Sequence, residues 1–161
     1  MRIIGGRLKG KTIMPPNGYK ARPTTDFAKE GLFNILNNEY EMEGLQVLDL
    51  FGGTGAISYE FASRGASMVY CVEMLPMHAS FIKSQAEKFG MRNLTVVRHN
   101  VFEFLEICRE KFDIIFADHL MPWTGLRPFL IRCSREIFFI QVLILYWNIR
   151  RNIILRRIRI L

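Results

Sequence analysis

The sequence predicts an α/β domain, with a mostly parallel sheet, helices on both faces and a β-hairpin arm at the N-terminus. Three observations carry that expectation. The chain has 161 residues and half of them are apolar, enough for one domain with a sizeable core. Apolar strand-like runs at 45–51, 68–73, 94–98 and 112–118 alternate with helix-like runs at 56–64, 76–89 and 101–108. The connections between them are short, the pattern of a parallel sheet covered on both sides.

Each element has its own signals. Arg2-Ile3-Ile4 and Lys11-Thr12-Ile13 read as the two sides of a small hairpin, with Gly5, Gly6 and Gly10 as turn material. Pro15-Pro16-Asn17-Gly18 reads as a loop. Thr24, Thr25 and Asp26 are N-cap types, and Pro23 precedes them. The helix they open runs to about Asn37, with Phe27, Ala28, Leu32, Ile35 and Leu36 expected toward the core. Gly65 stops the second helix, while the third has Pro76 at its start and Gly90 after its end.

Charge divides the chain in two. The total is +7, from 22 Lys and Arg against 15 Asp and Glu. Residues 1–118 hold 14 of each sign and are neutral, so the whole excess lies in residues 119–161, with eight Arg, no Lys and one acid, Glu136. All seven Lys and eleven of the twelve Gly precede His119. The expected organisation is a domain at 1–118, made of an arm at 1–22 and a core at 23–118, followed by an aberrant tail.

Cys71, Cys108 and Cys133 are far apart, which fits a reducing cytosol and neither a disulfide framework nor a zinc site. His78, His99 and His119 sit at no metal-ligand spacing, so no metal is expected. The N-terminus lacks the apolar core of a signal peptide. The longest uncharged run, 137–149, is too short to span a bilayer. A cytoplasmic monomer without membrane attachment is expected.

The sharpest motif is Val47-Leu48-Asp49-Leu50-Phe51-Gly52-Gly53-Thr54-Gly55-Ala56, a strand that ends in an acid and a glycine-rich turn that opens a helix. Glycines there let the backbone approach a nucleotide-like ligand closely. The dinucleotide fingerprint fails, because its third glycine would fall on Ser58. A second acid, Glu73, ends the next strand and suits the two hydroxyls of a ribose. The carboxylate of Asp49 inside the turn would repel a pyrophosphate and attract a cation. S-adenosylmethionine carries a sulfonium and an ammonium group and no phosphate.

Taken with Arg2-Ile3-Ile4-Gly5-Gly6, Arg22-Pro23-Thr24-Thr25-Asp26 and Leu32-Phe33-Asn34-Ile35-Leu36, this motif makes residues 1–118 resemble the RsmD family. These are bacterial methyltransferases that modify the exocyclic N2 of one guanine in 16S ribosomal RNA. The resemblance implies a Rossmann-like fold and an S-adenosylmethionine site built from Asp49, Phe51, Gly52, Gly53, Thr54 and Gly55. Glu73 would take the ribose. Asn100 stands where many relatives place an Asp toward the adenine, and its carbonyl oxygen can accept from the adenine amine. The partner implied is 16S rRNA in the 30S subunit or an assembly intermediate. Arg2, Arg7, Lys9, Lys11, Arg22 and Thr24 are the expected RNA contacts. Lys29 is read as either a phosphate contact or solvated surface.

One departure is serious. After Phe112-Asp113-Ile114-Ile115-Phe116-Ala117-Asp118 the family continues with Pro-Pro-Tyr, where Asp118 and the carbonyl after it would hold the target amine and the ring would stack on a flipped base. Here His119-Leu120-Met121 follows. His119 to Thr124 can be encoded CAC CTT ATG CCN TGG ACN, and one C restored in front gives Pro-Pro-Tyr-Ala-(Leu, Met or Val)-Asp. In the same frame Tyr146-Trp147-Asn148-Ile149 becomes Leu-Glu-(His or Tyr), close to where the family has an apolar strand ending in Glu-His. Residues 119–161 therefore read as an out-of-frame tail, with the sheet strands beyond Asp118 lost or scrambled. Other functions in view are methylation of a different amine, adenine N6 or a protein amide, and cofactor or RNA binding without turnover.

Overall fold

A computed structural model describes residues 1–19, 24–117 and 139–141. Its elements in chain order are a 3-10 turn at Gly6–Leu8, α1 (Asp26–Glu39), β1 (Gln46–Leu50), α2 (Ala56–Ser63), β2 (Met68–Val72), α3 (Pro76–Lys88), β3 (Leu94–Val97), α4 (Val101–Ile107), β4 (Ile114–Ala117) and β5 (Phe139–Gln141). The strands form one parallel sheet in the order β3-β2-β1-β4-β5. This is the Rossmann-like α/β architecture that the sequence predicts.

Side chains on a strand alternate between faces, and each face carries its own core. Val47, Val69, Cys71, Ile114 and Phe116 face Leu32, Phe33 and Leu36 of α1, Phe61 of α2, Ile82 of α3, and Ile3 and Ile13 of the arm. Leu48, Leu50, Val72 and Ile115 face Val101, Phe104 and Leu105 of α4. Each fully buried side chain of this size contributes about 1.5–3 kcal/mol.

Two details differ from the sequence reading. Phe27 is 74% exposed, while Phe33 is fully buried. The buried stripe of α1 is Lys29, Leu32, Phe33 and Leu36, one helical face at i, i+3, i+4 and i+7. The hairpin shrinks to a single bridge between Arg2 and Thr12, held by Ile3 N–H donating to Lys11 O at 2.9 Å and Ile13 N–H to Met1 O at 2.9 Å.

The arm lies across the end of α2. Gly6 has φ +71, and a Cβ there would collide with the backbone carbonyl of Ser63, so both its conformation and its contact demand glycine. Ser63 Oγ donates to Gly5 O at 2.6 Å and accepts from Leu8 N–H at 3.0 Å. Beyond Ala117, where strands were expected to be lost or scrambled, residues 139–141 pair with Ile115, Phe116 and Ala117 as β5.

The strand order positions the site. From β1 the chain moves outward through β2 to β3, then crosses back to place β4 on the other side of β1. Ligands of open α/β sheets bind outside the carboxyl ends of the strands at such a reversal. The loop after β1 and the end of β4 at Ala117 flank it.

Candidate cofactor site

Asp49 is the next-to-last residue of β1 and is 2% exposed. Its Oδ2 accepts from Ser58 Oγ at 2.5 Å, one turn into α2, so its orientation is fixed from the helix that the glycine loop opens. After Leu50 the backbone turns sharply. Phe51 has φ +65, a left-handed conformation that is strained for a bulky residue. Gly52 N–H donates to Val72 O at 3.0 Å, tying the loop to β2. Gly55, the N-cap of α2, has φ +78, and a Cβ on it would lie 2.8 Å from Tyr59 Cζ. Thr54 is buried between these glycines.

Glu73 follows β2 directly and is 7% exposed. Its Oε2 accepts from Gly53 N–H and its Oε1 from Leu75 N–H, both at 2.8 Å. Each carboxylate oxygen has lone-pair capacity beyond one such bond. His78 Nδ1 stands 3.9 Å from Glu73 Oε1.

Asn100 is the N-cap of α4, and its Oδ1 accepts from Phe102 N–H at 2.9 Å and Glu103 N–H at 3.4 Å. The carbonyl oxygen expected to meet an adenine amine is thus engaged in capping. Its NH2 group lies 3.9 Å from Met74 Sδ.

Three residues under and beside the loop carried no sequence signal. Tyr19 donates its phenol to Gly53 O at 2.8 Å and stacks on His78 with ring centroids 4.1 Å apart. Burial, then the Glu73 carboxylate and the Cys71 thiol, push the Tyr19 phenol well above its ordinary pKa. Tyr59 packs beneath Gly55 with its hydroxyl buried and without a hydrogen-bond partner among the described residues. Burial, with Asp49 and Glu73 adding, pushes the Cys71 thiol up against a lowering hydrogen bond from Ser58, so it stays protonated near neutral pH. Two buried carboxylates and an orphaned hydroxyl around a glycine loop suit a ligand with positive charge and ribose hydroxyls, and are the wrong donor set for a phosphate.

The expected RNA contacts separate into groups. Arg2 Nε pairs with Asp26 Oδ2 at 3.3 Å, and Arg7 donates to Gly90 O at 3.2 Å. Lys9 and Lys11 are exposed and Thr24 is half-buried. Arg22 and the expected catalytic Asp118 lie outside the described residues. Lys29 is neither a phosphate contact nor solvated surface. It is 1% exposed, with Nζ 3.1 Å from Glu60 Oε1 and 3.3 Å from Asp26 Oδ1, and it also donates to Arg2 O. A buried ammonium needs such partners, and the arm and α2 supply them.

Residues 1–122 match the family model described as conserved hypothetical protein 95. The ribosomal RNA small subunit methyltransferase D of Buchnera aphidicola subsp. Baizongia pistaciae is 35% identical over 127 residues, covering 79% of this chain and 64% of that protein. The protein of the same name from Escherichia coli K12 is 37% identical over 120 residues, covering 73% and 59%. The chain thus spans about three fifths of the length of these relatives. The solved structure of a putative methyltransferase, yhhF from Escherichia coli, superposes with a TM-score of 0.71 at 27% identity, covering 83% of this chain and 73% of that one.

Proposed function

Because this chain belongs to the conserved hypothetical protein 95 family, the RsmD family of the sequence resemblance, we propose that it is built to move a methyl group from S-adenosylmethionine to guanine N2 of small-subunit ribosomal RNA. The observation that carries the reading is the pair of buried carboxylates, Asp49 and Glu73, on either side of the glycine loop.

S-adenosylmethionine, when bound, supplies an already activated methyl group. The chain's part is then chiefly to bind and orient. Asp49, held by Ser58, attracts the cationic methionine end. Glu73 accepts the ribose hydroxyls with the lone pairs that Gly53 and Leu75 leave available. Phe51, Gly52, Gly53, Thr54 and Gly55 bring backbone close to the ligand. Asn100, its oxygen engaged in the helix cap, offers its NH2 to an acceptor nitrogen of the adenine. Asp118 would accept a hydrogen bond from the target amine, which leaves the amine's own lone pair for the methyl group.

The reading extends to the tail. Residues 119–161 are an out-of-frame continuation, supported by the break after Asp118, by the family match ending at residue 122 and by the tail's Arg-only basic composition. The chain as written then binds cofactor without turnover. His119-Leu120-Met121 offers neither proline's fixed φ to shape the turn nor a ring at its third position. Misplacing the amine by about 1 Å costs about a hundredfold in rate.

Calorimetry and a methyl-transfer assay test both parts. Asp49→Ala and Glu73→Ala should each weaken S-adenosylmethionine binding about ten- to hundredfold, as expected for losing a charge-assisted contact. Unchanged affinity in both variants would refute the site. The chain as written should leave undermethylated 30S subunits unmodified, and the chain with one C restored after codon 118 should methylate guanine N2. Equal rates from the two versions, or a gene read with no missing base, would refute the frame assignment.

A further inference from the structure

Gly53 is held from both sides by groups outside its loop. Its N–H donates to Glu73 Oε2 and its carbonyl accepts the Tyr19 phenol, each at 2.8 Å. Two successive peptide planes of the glycine loop are therefore pinned, one by the acid that would take the ribose and one by a tyrosine 34 residues earlier in the chain. The tyrosine is itself fixed. Its ring stacks on His78 at 4.1 Å with planes 20° apart, and it meets Phe81 at 5.4 Å and 59°. Its own N–H donates to Pro16 O at 3.2 Å, closing the turn that presents it.

We propose that Tyr19 is a positioning residue for the cofactor: its phenol sets the Gly53 peptide in the orientation that receives S-adenosylmethionine. The inference rests on the proposed cofactor site and adds a residue to it. Gly52-Gly53-Thr54-Gly55 has more backbone freedom than any other four-residue stretch of the domain could have, and that freedom must be lost when a ligand is seated. A loop pinned beforehand loses less on binding, which is how preorganisation raises affinity. The donor is dependable, because burial and the neighbouring Glu73 carboxylate both hold the phenol in its protonated form. Tyr19 acts through Gly53 and not on the methyl group, so its removal should change binding and leave chemistry intact.

Tyr19→Phe keeps the ring and its stacking on His78 and removes only the donor. By calorimetry, its dissociation constant for S-adenosylmethionine should rise about three- to tenfold, the range of one neutral hydrogen bond. S-adenosylhomocysteine, which lacks the methyl group, should show the same ratio. In the frame-restored chain KM for S-adenosylmethionine should rise by that factor, with kcat at saturation within about twofold of the parent. The melting temperature of the ligand-free protein should fall by no more than about 4 °C, the cost of one neutral hydrogen bond, since a packing role would lower it further. Tyr19→Leu, which also loses the stack, should bind more weakly still. Parent-like affinity in Tyr19→Phe, or a loss of affinity that only follows a loss of stability, would overturn the proposal and leave the cofactor site standing. Failure of the parent chain to bind S-adenosylmethionine would overturn both.

Discussion

Glu60 is fully buried and accepts from three separate parts of the chain: Ile4 N–H at 2.7 Å, Lys29 Nζ at 3.1 Å and Arg64 Nε at 3.3 Å. Arg64 also lies over the Phe33 ring, 4.3 Å from its centroid. Removing Lys29 leaves Glu60 buried with Arg64 as its remaining charged partner. Lys29→Ala should therefore lower unfolding stability in urea titrations, by less than the about 3–5 kcal/mol of a wholly unpaired buried charge, while Lys29→Met, which keeps the volume, should recover the packing part of that loss. A cost below about 1 kcal/mol for Lys29→Ala would mean that the pair is not desolvated in solution. Such residues are the least legible in sequence. Nothing in Lys29 says that it is buried, because its burial depends on an acid 31 residues away. Tyr19 and Tyr59 are equally silent, one in a loop and one inside an apolar helix, and only the folded chain brings them to the glycine loop. Asp49 and Glu73 were legible, because each stands at the end of a strand in a motif whose spacing has a chemical meaning.

At the scale of elements, α1 begins as its sequence requires. Thr25 caps it by accepting from Ala28 N–H at 3.2 Å, and Asp26 in the first turn faces Lys29 and Arg2. Burial is the largest single influence on Asp26 and raises its pKa, but the hydrogen bonds and charges of Lys29 and Arg2 together outweigh it and hold the carboxyl below its ordinary value. A depressed folded-state pKa stabilises above the unfolded value and is lost as pH falls through the folded one. Asp26→Asn should therefore be less stable than the parent at pH 7 in denaturant titrations. The gap should close as pH drops below about 4, the unfolded value. A gap that persists unchanged at pH 2 would assign the effect to the helix cap. The strand and helix succession was legible from α1 to β4, since 2.0 and 3.6 periodicities survive in any environment, whereas β5 was not expected. The face of α1 was not. Its buried stripe runs through Lys29, and a reading that seeks only apolar positions shifts the stripe onto Phe27 and Ala28.

Over the whole molecule, residues 1–118 carry no net charge, so attraction to an RNA backbone depends on where their cations sit. Arg2 and Arg7 are engaged with Asp26 and Gly90, whereas Lys9 and Lys11 are exposed. The frame-restored chain should bind 16S rRNA with an affinity that falls as salt rises. Lys9→Ala with Lys11→Ala should flatten the log–log slope by about 1.4–1.8, counting roughly 0.7–0.9 per lost phosphate contact, with S-adenosylmethionine affinity unchanged. An unaltered slope would place the RNA elsewhere on the surface. The composition of residues 119–161, set against that of 1–118, marks the change at residue 119 without any structure.

The docking of the arm on α2 also sets a timetable for synthesis. Ile4 and its acceptor on Glu60 are 56 residues apart, so the arm leaves the ribosome well before its seat exists. At roughly 5–20 residues per second that interval lasts about 3–10 s. Until α2 emerges, the turn at Gly6–Leu8 has no seat on Ser63 and Lys29 has no Glu60. Nascent chains halted before residue 64 should have an arm open to protease, and those released after α2 has formed should have it protected.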